Sequence, residues 1–293
     1  MEFQKIAIIG SGFMGSGIAQ VCAQAGYQAV LVDIDELRLE KALESVEWSV
    51  GKLVSKGALK ESMDTILGRI ETASSYDAAC DADLLIEAVY EEVNLKEKVL
   101  SELDEVCGLD TVFASNTSTI PITKLAAATN RANRVIGMHF FGPVPLMRLV
   151  EIIPNPQTTD EVVQAALEFA RSVGKNPILV KEDIPGFLMN RIFGAMTCEA
   201  IRLLERGAGS IEDIDNGMCD GFSMHVGPLC IADLAGLDVS LNAFNVMHAL
   251  DPDYAPVAPE LLHRLVSEGK LGAKTGEGFY RWDEFGKRLG PAF

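Results

Sequence analysis

The stretch KIAIIGSGFMGSG, residues 5–17, decides the fold of this chain. It joins a short apolar run to the sequence G-x-G-x-x-G, after which Ile18, Val21, Cys22 and Ala25 recur with the spacing of a helix. A strand, a glycine-rich turn and a helix in this order are typical of a dinucleotide-binding unit. The first glycine permits the tight turn, the second lets a pyrophosphate approach the backbone, and the third lets helix and strand pack closely.

The same turn predicts a cofactor. Free N–H groups at the start of the helix attract phosphates, and the residues predicted to contact the cofactor there are Gly10, Gly12, Phe13, Met14 and Gly15. Asp33 ends the second predicted strand, 18 residues after Gly15, where a carboxylate accepts hydrogen bonds from ribose hydroxyls. Because this carboxylate would repel a 2′-phosphate, we expect NAD rather than NADP. The alternative is a glycine turn with an unrelated aspartate.

Short β-rich runs alternate with helical periodicity over the first part of the chain. The runs predict strands over residues 6–9, 28–32, 69–73, 83–89, 111–114, 134–138, 148–153 and 177–181. Strands that alternate with helices predict a parallel sheet, because parallel neighbours need a crossover connection. From Gly186 onward the pattern is helical, and the preceding residues 181–186 have the charge, proline and glycine of a boundary. We therefore predict an α/β chain with a Rossmann-type doubly wound sheet in residues 1–185 and an all-helical domain in residues 186–293.

Composition excludes several classes of function. The 293 residues are 48% apolar and 23% charged, as in a globular protein. The formal charge of −17 opposes binding to nucleic acid or to an anionic membrane surface. No apolar run approaches the roughly 20 residues that span a bilayer. Because the first strand-like run begins at Phe3, we expect no secretory leader. We expect a cytoplasmic protein.

The cysteines and histidines do not form a metal-binding pattern. The six cysteines are scattered without a C-x-x-C pair, at Cys22, Cys80, Cys107, Cys198, Cys219 and Cys230. In an intracellular chain this distribution predicts reduced, mostly buried thiols. We expect no metal.

Two polar residues in apolar strands point to acid–base chemistry. His139 ends a predicted strand, where a doubly wound sheet presents ligands. Glu151 lies within the next apolar run, where burying a carboxylate is unfavourable unless it is paired. Pairing with one imidazole nitrogen would let the other accept the proton of a substrate hydroxyl while its carbon gives hydride to nicotinamide. Spacing alone also allows a structural histidine and a glutamate on the surface of an edge strand.

Six motifs resemble those of the L-3-hydroxyacyl-CoA dehydrogenase family, in particular its short-chain 3-hydroxybutyryl-CoA dehydrogenases. They are GSGFMGSG (10–17), ASNTST (114–119), GMHFFGP (137–143), LVEII (149–153), DIPGFLMNR (183–191) and LGAKTGEGFY (271–280). The resemblance implies reversible NAD-dependent oxidation of a 3-hydroxyacyl-CoA to a 3-ketoacyl-CoA, with His139 as the base and Glu151 as its partner. It also implies that residues 1–185 bind NAD and that residues 186–293 bind substrate and form a homodimer.

The resemblance assigns further site residues. Ser118 matches a serine that contacts substrate and nicotinamide, and its alternative is a helix cap. Asn190 matches an asparagine that holds the substrate, and its alternative is a polar helix residue facing solvent. The positions that match cofactor contacts are Glu91, Lys96 and Lys274. Read without the resemblance, these three are ordinary surface charges.

For the CoA portion, the resemblance implies contacts from Ser49 and Lys56 on the long helix after the second strand. Lys52, Lys56 and Lys60 recur at i, i+4 and i+8, so we expect them on one side of that helix near a phosphate. The alternative is a solvated basic stripe. One departure from the family is Gly142, where HFFNP is usual, and it leaves the acyl length open.

Three other functions remain as alternatives. The first is a related hydroxyacid dehydrogenase of the phosphogluconate type with a lysine base, which the stretch GFLMNRIFGAM (186–196) disfavours because it has no lysine. The second is a family member that acts on a non-CoA alcohol such as a sugar acid, carnitine or a pyridine carbinol. The third is a redox-sensing or structural protein that binds NAD without catalysis.

Overall fold

The computed structural model describes Met1 and residues 3–293, and its backbone separates into two units, residues 1–184 and 185–293. The first unit contains an eight-stranded sheet in the order β3-β2-β1-β4-β5-β6-β7-β8. The strands are β1 (Lys5–Ile9), β2 (Gln28–Val32), β3 (Ile70–Ala73), β4 (Leu84–Glu87), β5 (Val112–Ser115), β6 (Val135–Phe140), β7 (Leu149–Pro154) and β8 (Asn176–Leu179). The helices of this unit are α1 (Phe13–Gln24), α2 (Glu36–Ser55), α3 (Met63–Leu67), α4 (Val93–Val106), α5 (Ile122–Ala126) and α6 (Asp160–Ser172).

The chain reverses direction within the sheet between β6 and β7. Strands β1 to β6 pair in parallel, whereas β7 runs antiparallel to β6 and β8 runs parallel to β7. Only residues 141–148 join β6 to β7, and a connection without a helix suffices for an antiparallel return. The predicted sheet is therefore parallel in its first six strands, while its last two strands run the other way.

The carboxyl ends of the parallel strands place the polar loops at one edge of this sheet. The loops after β1, β2, β4 and β5 carry residues 10–15, Asp33, residues 88–92 and residues 116–119. Strand β6 ends at this edge, and β7 begins there because it is antiparallel to β6. Ligands of open α/β sheets bind at this edge.

The second unit is helical, as predicted. Its helices are α7 (Met189–Glu205), α8 (Ile211–Phe222), α9 (Pro228–Ala235), α10 (Leu237–Leu250) and α11 (Glu260–Ser267). A two-stranded antiparallel hairpin, β9 (Tyr280–Trp282) and β10 (Arg288–Pro291), is an addition to the predicted helices. The carboxylate of Asp233 on α9 accepts hydrogen bonds from the backbone N–H groups of Phe279 and Tyr280 and from the indole of Trp282, so it holds the hairpin against the helices.

Over Met1 and residues 3–293, no single helix is long and apolar enough to cross a membrane. Helices α9 and α10 reach the required length and hydropathy only when taken together, and a bend of 98° separates them. All six cysteines are free thiols. Four are buried, Cys219 is partly exposed and Cys80 is exposed, which confirms that the thiols are mostly buried.

Candidate active site

The glycine-rich turn has the shape that the motif predicts. Gly10 has a φ of +103°, and a Cβ there would lie 2.7 Å from the carbonyl oxygen of Ala88. A Cβ at Gly15 would lie 1.8 Å from the carbonyl oxygen of Gly10, so both positions require glycine. A Cβ at Gly12 would meet no protein atom within 4 Å, which leaves room for a ligand beside its backbone. The first and third glycines thus allow neighbouring backbone to approach closely, and the second faces open space.

Asp33 organises this turn from the end of β2. Its Oδ2 accepts hydrogen bonds from the backbone N–H (2.9 Å) and hydroxyl (2.8 Å) of Ser11, and its Oδ1 accepts from the N–H of Asp35 (3.1 Å). A carboxylate offers about four lone-pair sites, so these contacts still allow it to accept from a ribose.

A cavity of about 440 Å³ opens between the turn and the end of β2. Its lining includes the predicted residues Gly10, Gly12, Phe13, Met14 and Asp33. Sequence reasoning missed Arg38 and Tyr90, which also line it; the Arg38 guanidinium lies 5.5 Å from the centre of the Tyr90 ring. No motif identifies these two residues, because their contact joins α2 to the loop after β4.

Lys96 is a buried cation held by two carboxylates. Its side chain is 1% exposed, and its Nζ lies 2.7 Å from Glu87 Oε1 and 3.4 Å from Glu91 Oε2. Glu87, at the end of β4, also accepts a 2.6 Å hydrogen bond from the hydroxyl of Ser115 on β5. Sequence reasoning did not select Glu87, and Lys96 is not the surface charge that would be expected without the family resemblance.

Glu91 fixes the loop that carries Ser118. Its Oε1 accepts hydrogen bonds from the Thr117 hydroxyl (2.7 Å), the Ser118 N–H (2.8 Å), and the N–H (2.9 Å) and hydroxyl (3.0 Å) of Thr119. Burial raises the pKa of the Glu91 carboxyl, but the Lys96 ammonium and these donors outweigh it, so the net pKa is lowered. Glu91 is therefore a charged anchor for the backbone on both sides of Ser118.

His139 and Glu151 are cross-strand neighbours. The antiparallel register of β6 and β7 places them directly opposite each other, and His139 Nδ1 lies 2.8 Å from Glu151 Oε2. Both side chains are buried, and the imidazole packs against the Phe141 ring at 4.5 Å between ring centres. An ionised carboxylate only accepts, so with Glu151 ionised this contact would place a proton on Nδ1 and leave Nε2 to act as the base.

The loop after β5 is tied to the histidine strand. Asn116 Oδ1 accepts a 2.9 Å hydrogen bond from the N–H of Phe140, the residue after His139. Two residues later lies Ser118, half-buried at the same edge of the sheet. The first unit therefore brings Ser118, His139 and Glu151 to the edge where the nucleotide turn lies.

A second cavity, of about 460 Å³, lies along α2. Its lining includes the predicted residues Ser49 and Lys56, together with Trp48, Lys52 and Phe13. The prediction that Lys52, Lys56 and Lys60 lie on one side of this helix is wrong for Lys60. Helix α2 ends at Ser55 with Lys56 as its cap, so Lys60 lies beyond the helix.

Lys175, which sequence reasoning missed, holds one wall of this cavity. Residues 143–146, from the connection between β6 and β7, form that wall. The buried Lys175 ammonium donates to the carbonyl oxygens of Val144 and Met147 (2.9 Å to Met147). Burial lowers the pKa of Lys175. A buried lysine beside carbonyl groups has no sequence pattern that distinguishes it from a surface lysine.

Packing against Phe13 explains why position 142 is glycine and not the asparagine that is usual in the family. A Cβ at residue 142 would lie 2.6 Å from Cε1 of Phe13 and 3.4 Å from the sulfur of Met14. The Phe13 ring occupies the space into which a side chain at this position would project, although the ring itself is 68% exposed. Phenylalanine at 13 and glycine at 142 therefore fit each other.

The two remaining predicted residues lie in the second unit. Asn190 is half-buried in the first turn of α7. Lys274 follows Gly272 in the loop before β9, and its Nζ lies 2.6 and 2.7 Å from the two carboxylate oxygens of Asp238. Among Met1 and residues 3–293, no group of three or more histidine, cysteine, aspartate or glutamate side chains is arranged to hold a metal ion.

Comparison with known proteins matches almost the entire chain. The family model described as "3-hydroxyacyl-CoA dehydrogenase, NAD binding domain" matches residues 5–184, and the model described as "3-hydroxyacyl-CoA dehydrogenase, C-terminal domain" matches residues 186–282. A probable 3-hydroxybutyryl-CoA dehydrogenase of Deinococcus radiodurans is 42% identical over 279 residues, which are 95% of this chain and all of that protein.

Two solved structures extend this comparison. The (S)-3-hydroxybutyryl-CoA dehydrogenase of Ralstonia eutropha is 43% identical with a TM-score of 0.90, and the match covers 97% of this chain and 100% of that one. An NAD+-dependent dismutase, 5-formyl-3-hydroxy-2-methylpyridine 4-carboxylic acid 5-dehydrogenase, is 33% identical with a TM-score of 0.78, over 97% of this chain and 92% of that one.

Proposed function

The chain belongs to the 3-hydroxyacyl-CoA dehydrogenase family and is an oxidoreductase that acts with NAD on a hydroxyacyl-CoA, and from this premise we propose that it interconverts (S)-3-hydroxybutyryl-CoA and acetoacetyl-CoA with His139 and Glu151 as its catalytic dyad. The observation that carries the dyad is the 2.8 Å contact between two buried side chains on adjacent strands. The choice of a four-carbon acyl group follows the relatives that are named for it.

The first unit fits NAD by its own geometry. The backbone beside Gly12 faces open space, and the start of α1 supplies N–H groups for a pyrophosphate. Asp33 would accept from the adenosine ribose, and its charge would disfavour the 2′-phosphate of NADP. When bound, NAD+ supplies the hydride acceptor.

Within the dyad, His139 moves the proton. Its Nε2 accepts the proton of the substrate 3-hydroxyl as the ketone forms, and returns it in the reverse reaction. Glu151 keeps a proton on Nδ1 of His139 and stabilises the imidazolium that forms. Because Glu151 is fully buried, its charge acts on the imidazole with little screening by water.

The remaining assignments concern substrate and cofactor contacts. Ser118 would contact the substrate oxygen and the nicotinamide from a loop that Glu91 and Asn116 hold in place. Asn190 would help to hold the substrate. Ser49 and Lys56 would bind the CoA portion in the cavity along α2. Glu91, Lys96 and Lys274 remain proposed cofactor contacts, although Lys96 and Lys274 are also bonded to carboxylates of their own unit.

The substrate class is tested by comparing thioester with free acid. With NADH as reductant, we expect acetoacetyl-CoA to be reduced and free acetoacetate to be reduced at least about a thousandfold less efficiently, since the nucleotide contacts contribute to transition-state binding. Equal kcat/KM for the two compounds would remove CoA from the proposal. Replacing NADH by NADPH tests the assignment to Asp33, and equal kcat/KM for the two cofactors would contradict it.

A second candidate is oxidation of a non-CoA alcohol. The similarity to the pyridine carboxylic acid dehydrogenase favours it, since that protein has the same fold. A pyridine carbinol oxidised with NAD+ faster than 3-hydroxybutyryl-CoA would establish it.

The roles of the two units are also part of the proposal. Residues 1–185 would bind NAD, and residues 186–293 would bind substrate and form a homodimer. Exposed apolar side chains on the second unit, including Phe222, Leu234 and Val239, support a protein contact there. Light scattering should give twice the mass of a single chain, and the mass of one chain would exclude the dimer.

A further inference from the structure

Trp48 differs from the other tryptophan of the chain in its surroundings. It lies on α2 with 64% of its surface exposed, whereas Trp282 is 7% exposed and bonded to Asp233. It lines the cavity along α2 beside Leu53, Val144 and Leu146. An exposed aromatic side chain that lines a cavity with other apolar groups marks a ligand surface rather than an isolated surface residue.

Lys52 orients the indole of Trp48. One helical turn further along α2, its ammonium lies 3.7 Å from the centre of the Trp48 ring. This cation–π contact restrains the indole before any ligand arrives. Because the ring remains mostly exposed, a flat group can still stack on it, and the cation beside it can meet a phosphate.

The charges lining the cavity select an anionic ligand. Lys52 and Lys56 line it and no carboxylate of Met1 and residues 3–293 does, although the chain as a whole carries a formal charge of −17. Phe13 lines both this cavity and the nucleotide cavity, so the two are neighbours. A ligand here therefore combines an aromatic ring with phosphate groups and reaches toward the nucleotide turn.

We propose that Trp48 stacks on the adenine ring of the CoA thioester and that Lys52 neutralises the adjacent phosphate groups. This assignment rests on the proposed function, because CoA is the substrate component that carries a base and three phosphates. Stacking of a base on an aromatic side chain tolerates small changes in position, so it suits a group distant from the reacting thioester.

The test compares two substrates that differ only in the nucleotide. Acetoacetyl-CoA and acetoacetyl-pantetheine carry the same reacting thioester, and only the first carries 3′-phosphoadenosine 5′-diphosphate. We expect Trp48→Ala to raise the KM for acetoacetyl-CoA about tenfold, or about 1.4 kcal/mol, and to leave the KM for acetoacetyl-pantetheine unchanged. Trp48→Phe should retain most of the affinity, because a phenyl ring still stacks.

The control is Leu37→Ala, which removes an exposed apolar side chain from the same helix outside both cavities. It should change neither KM. An equal rise of both KM values in Trp48→Ala, or no rise in either, would overturn the stacking. Failure of the unmodified chain to reduce either thioester would instead overturn the proposed function.

A binding experiment decides the assignment without turnover. Trp48 is the exposed one of the two tryptophans, so its fluorescence reports on the cavity. In the presence of excess NAD+, adenosine 3′,5′-bisphosphate should quench the emission of the unmodified chain in a saturable manner, and pantetheine should not. Quenching that persists unchanged in Trp48→Phe, or is absent from the unmodified chain, would refute the proposal.

Discussion

Glu151 is wholly buried on β7, and its Oε2 lies 2.8 Å from Nδ1 of His139. Glutamine at this position keeps the size and a hydrogen bond but removes the charge that stabilises the imidazolium. We expect Glu151→Gln to lower kcat by roughly two to four powers of ten, the range of an acid–base contribution. Steady-state kinetics with acetoacetyl-CoA and NADH measure this. Glu168→Gln, an exposed site on α6, is the control, and a decrease in Glu151→Gln below about tenfold contradicts the dyad.

We also expect residue 142 and Phe13 to be energetically coupled. Asparagine at 142 would displace the Phe13 ring, whose Cε1 lies 2.6 Å from the position of a Cβ at Gly142. Because Phe13 lines both cavities, we expect Gly142→Asn to raise the KM for NAD about fivefold, or about 1 kcal/mol. Adding Phe13→Leu should recover most of this loss, since leucine lacks the ring edge.

The pair is measured as a double-mutant cycle, which isolates the interaction between two contacting positions. Gly217→Asn serves as the control for the change of residue type, because a Cβ at Gly217 meets nothing within 4 Å. Additive effects of the two substitutions would show that Phe13 and residue 142 are not coupled.

At the scale of elements, the loop after β5 depends on a charge carried by the loop after β4. Glu91 accepts from the backbone N–H groups of Ser118 and Thr119 and pairs with Lys96. Its pKa is lowered in the folded chain, so its contribution to stability is fully present above the unfolded value of about 4.3 and disappears as the pH falls through the lower folded value.

We therefore expect Glu91→Gln to lower the free energy of unfolding by about 1–3 kcal/mol at pH 7, and by less below about pH 4. Urea unfolding at both pH values measures the difference. Glu92→Gln, the exposed neighbour, should be within about 0.5 kcal/mol of the unmodified chain at both. A deficit in Glu91→Gln that is as large at low pH as at pH 7 would show that the charge is not responsible.

The elements were largely predictable, but the direction of the last two strands was not. Each of the eight predicted strands overlaps an observed one, because buried runs and glycine turns are local signals. The reversal at β7 was missed, since apolar periodicity identifies a strand without giving its direction. The short connection of residues 141–148 contained that information, because a parallel partner would have needed a longer crossover.

Charged residues were the weakest part of the site prediction. Lys96 and Lys175 are buried, yet each looks like a surface residue in the sequence. Glu87 lies in an apolar strand run, as Glu151 does, and this signal was not used for it. What distinguishes them is a set of partners at 9 to 31 positions away, which only the folded chain brings together. Lys60 was wrongly placed on α2 because the end of that helix was not located.

For the whole molecule, the fold class, the family and the dehydrogenase activity predicted from the sequence are confirmed. The glycine turn and the alternation of elements identified the sheet by physical reasoning. The activity depended on six motifs taken together, because spacing alone left His139 open to a structural interpretation. The catalytic and binding roles of the individual residues remain predictions.

The distribution of thiols predicts how the whole molecule reacts with an alkylating reagent. Cys80 is exposed, while burial raises the pKa of Cys22 to about 12 and those of Cys107 and Cys198 to about 11. Thiolate is the reactive form. We expect one fast-reacting thiol in the native chain at pH 8, its loss in Cys80→Ser, and reaction of all six only in denaturant. A fast thiol that remains in Cys80→Ser would contradict this prediction.

The antiparallel return from β6 to β7 has an evolutionary consequence. Because His139 and Glu151 face each other across neighbouring strands, a slip of one residue would turn one of them to the opposite side of the sheet. The intervening residues 143–146 lie outside that ladder and form a wall of the cavity along α2. Under the proposed roles of this pair and this cavity, insertions and deletions in the connection would alter which molecule is accepted while the His139–Glu151 pair is inherited intact, so descendants of such a chain would diversify in substrate and keep the same chemistry.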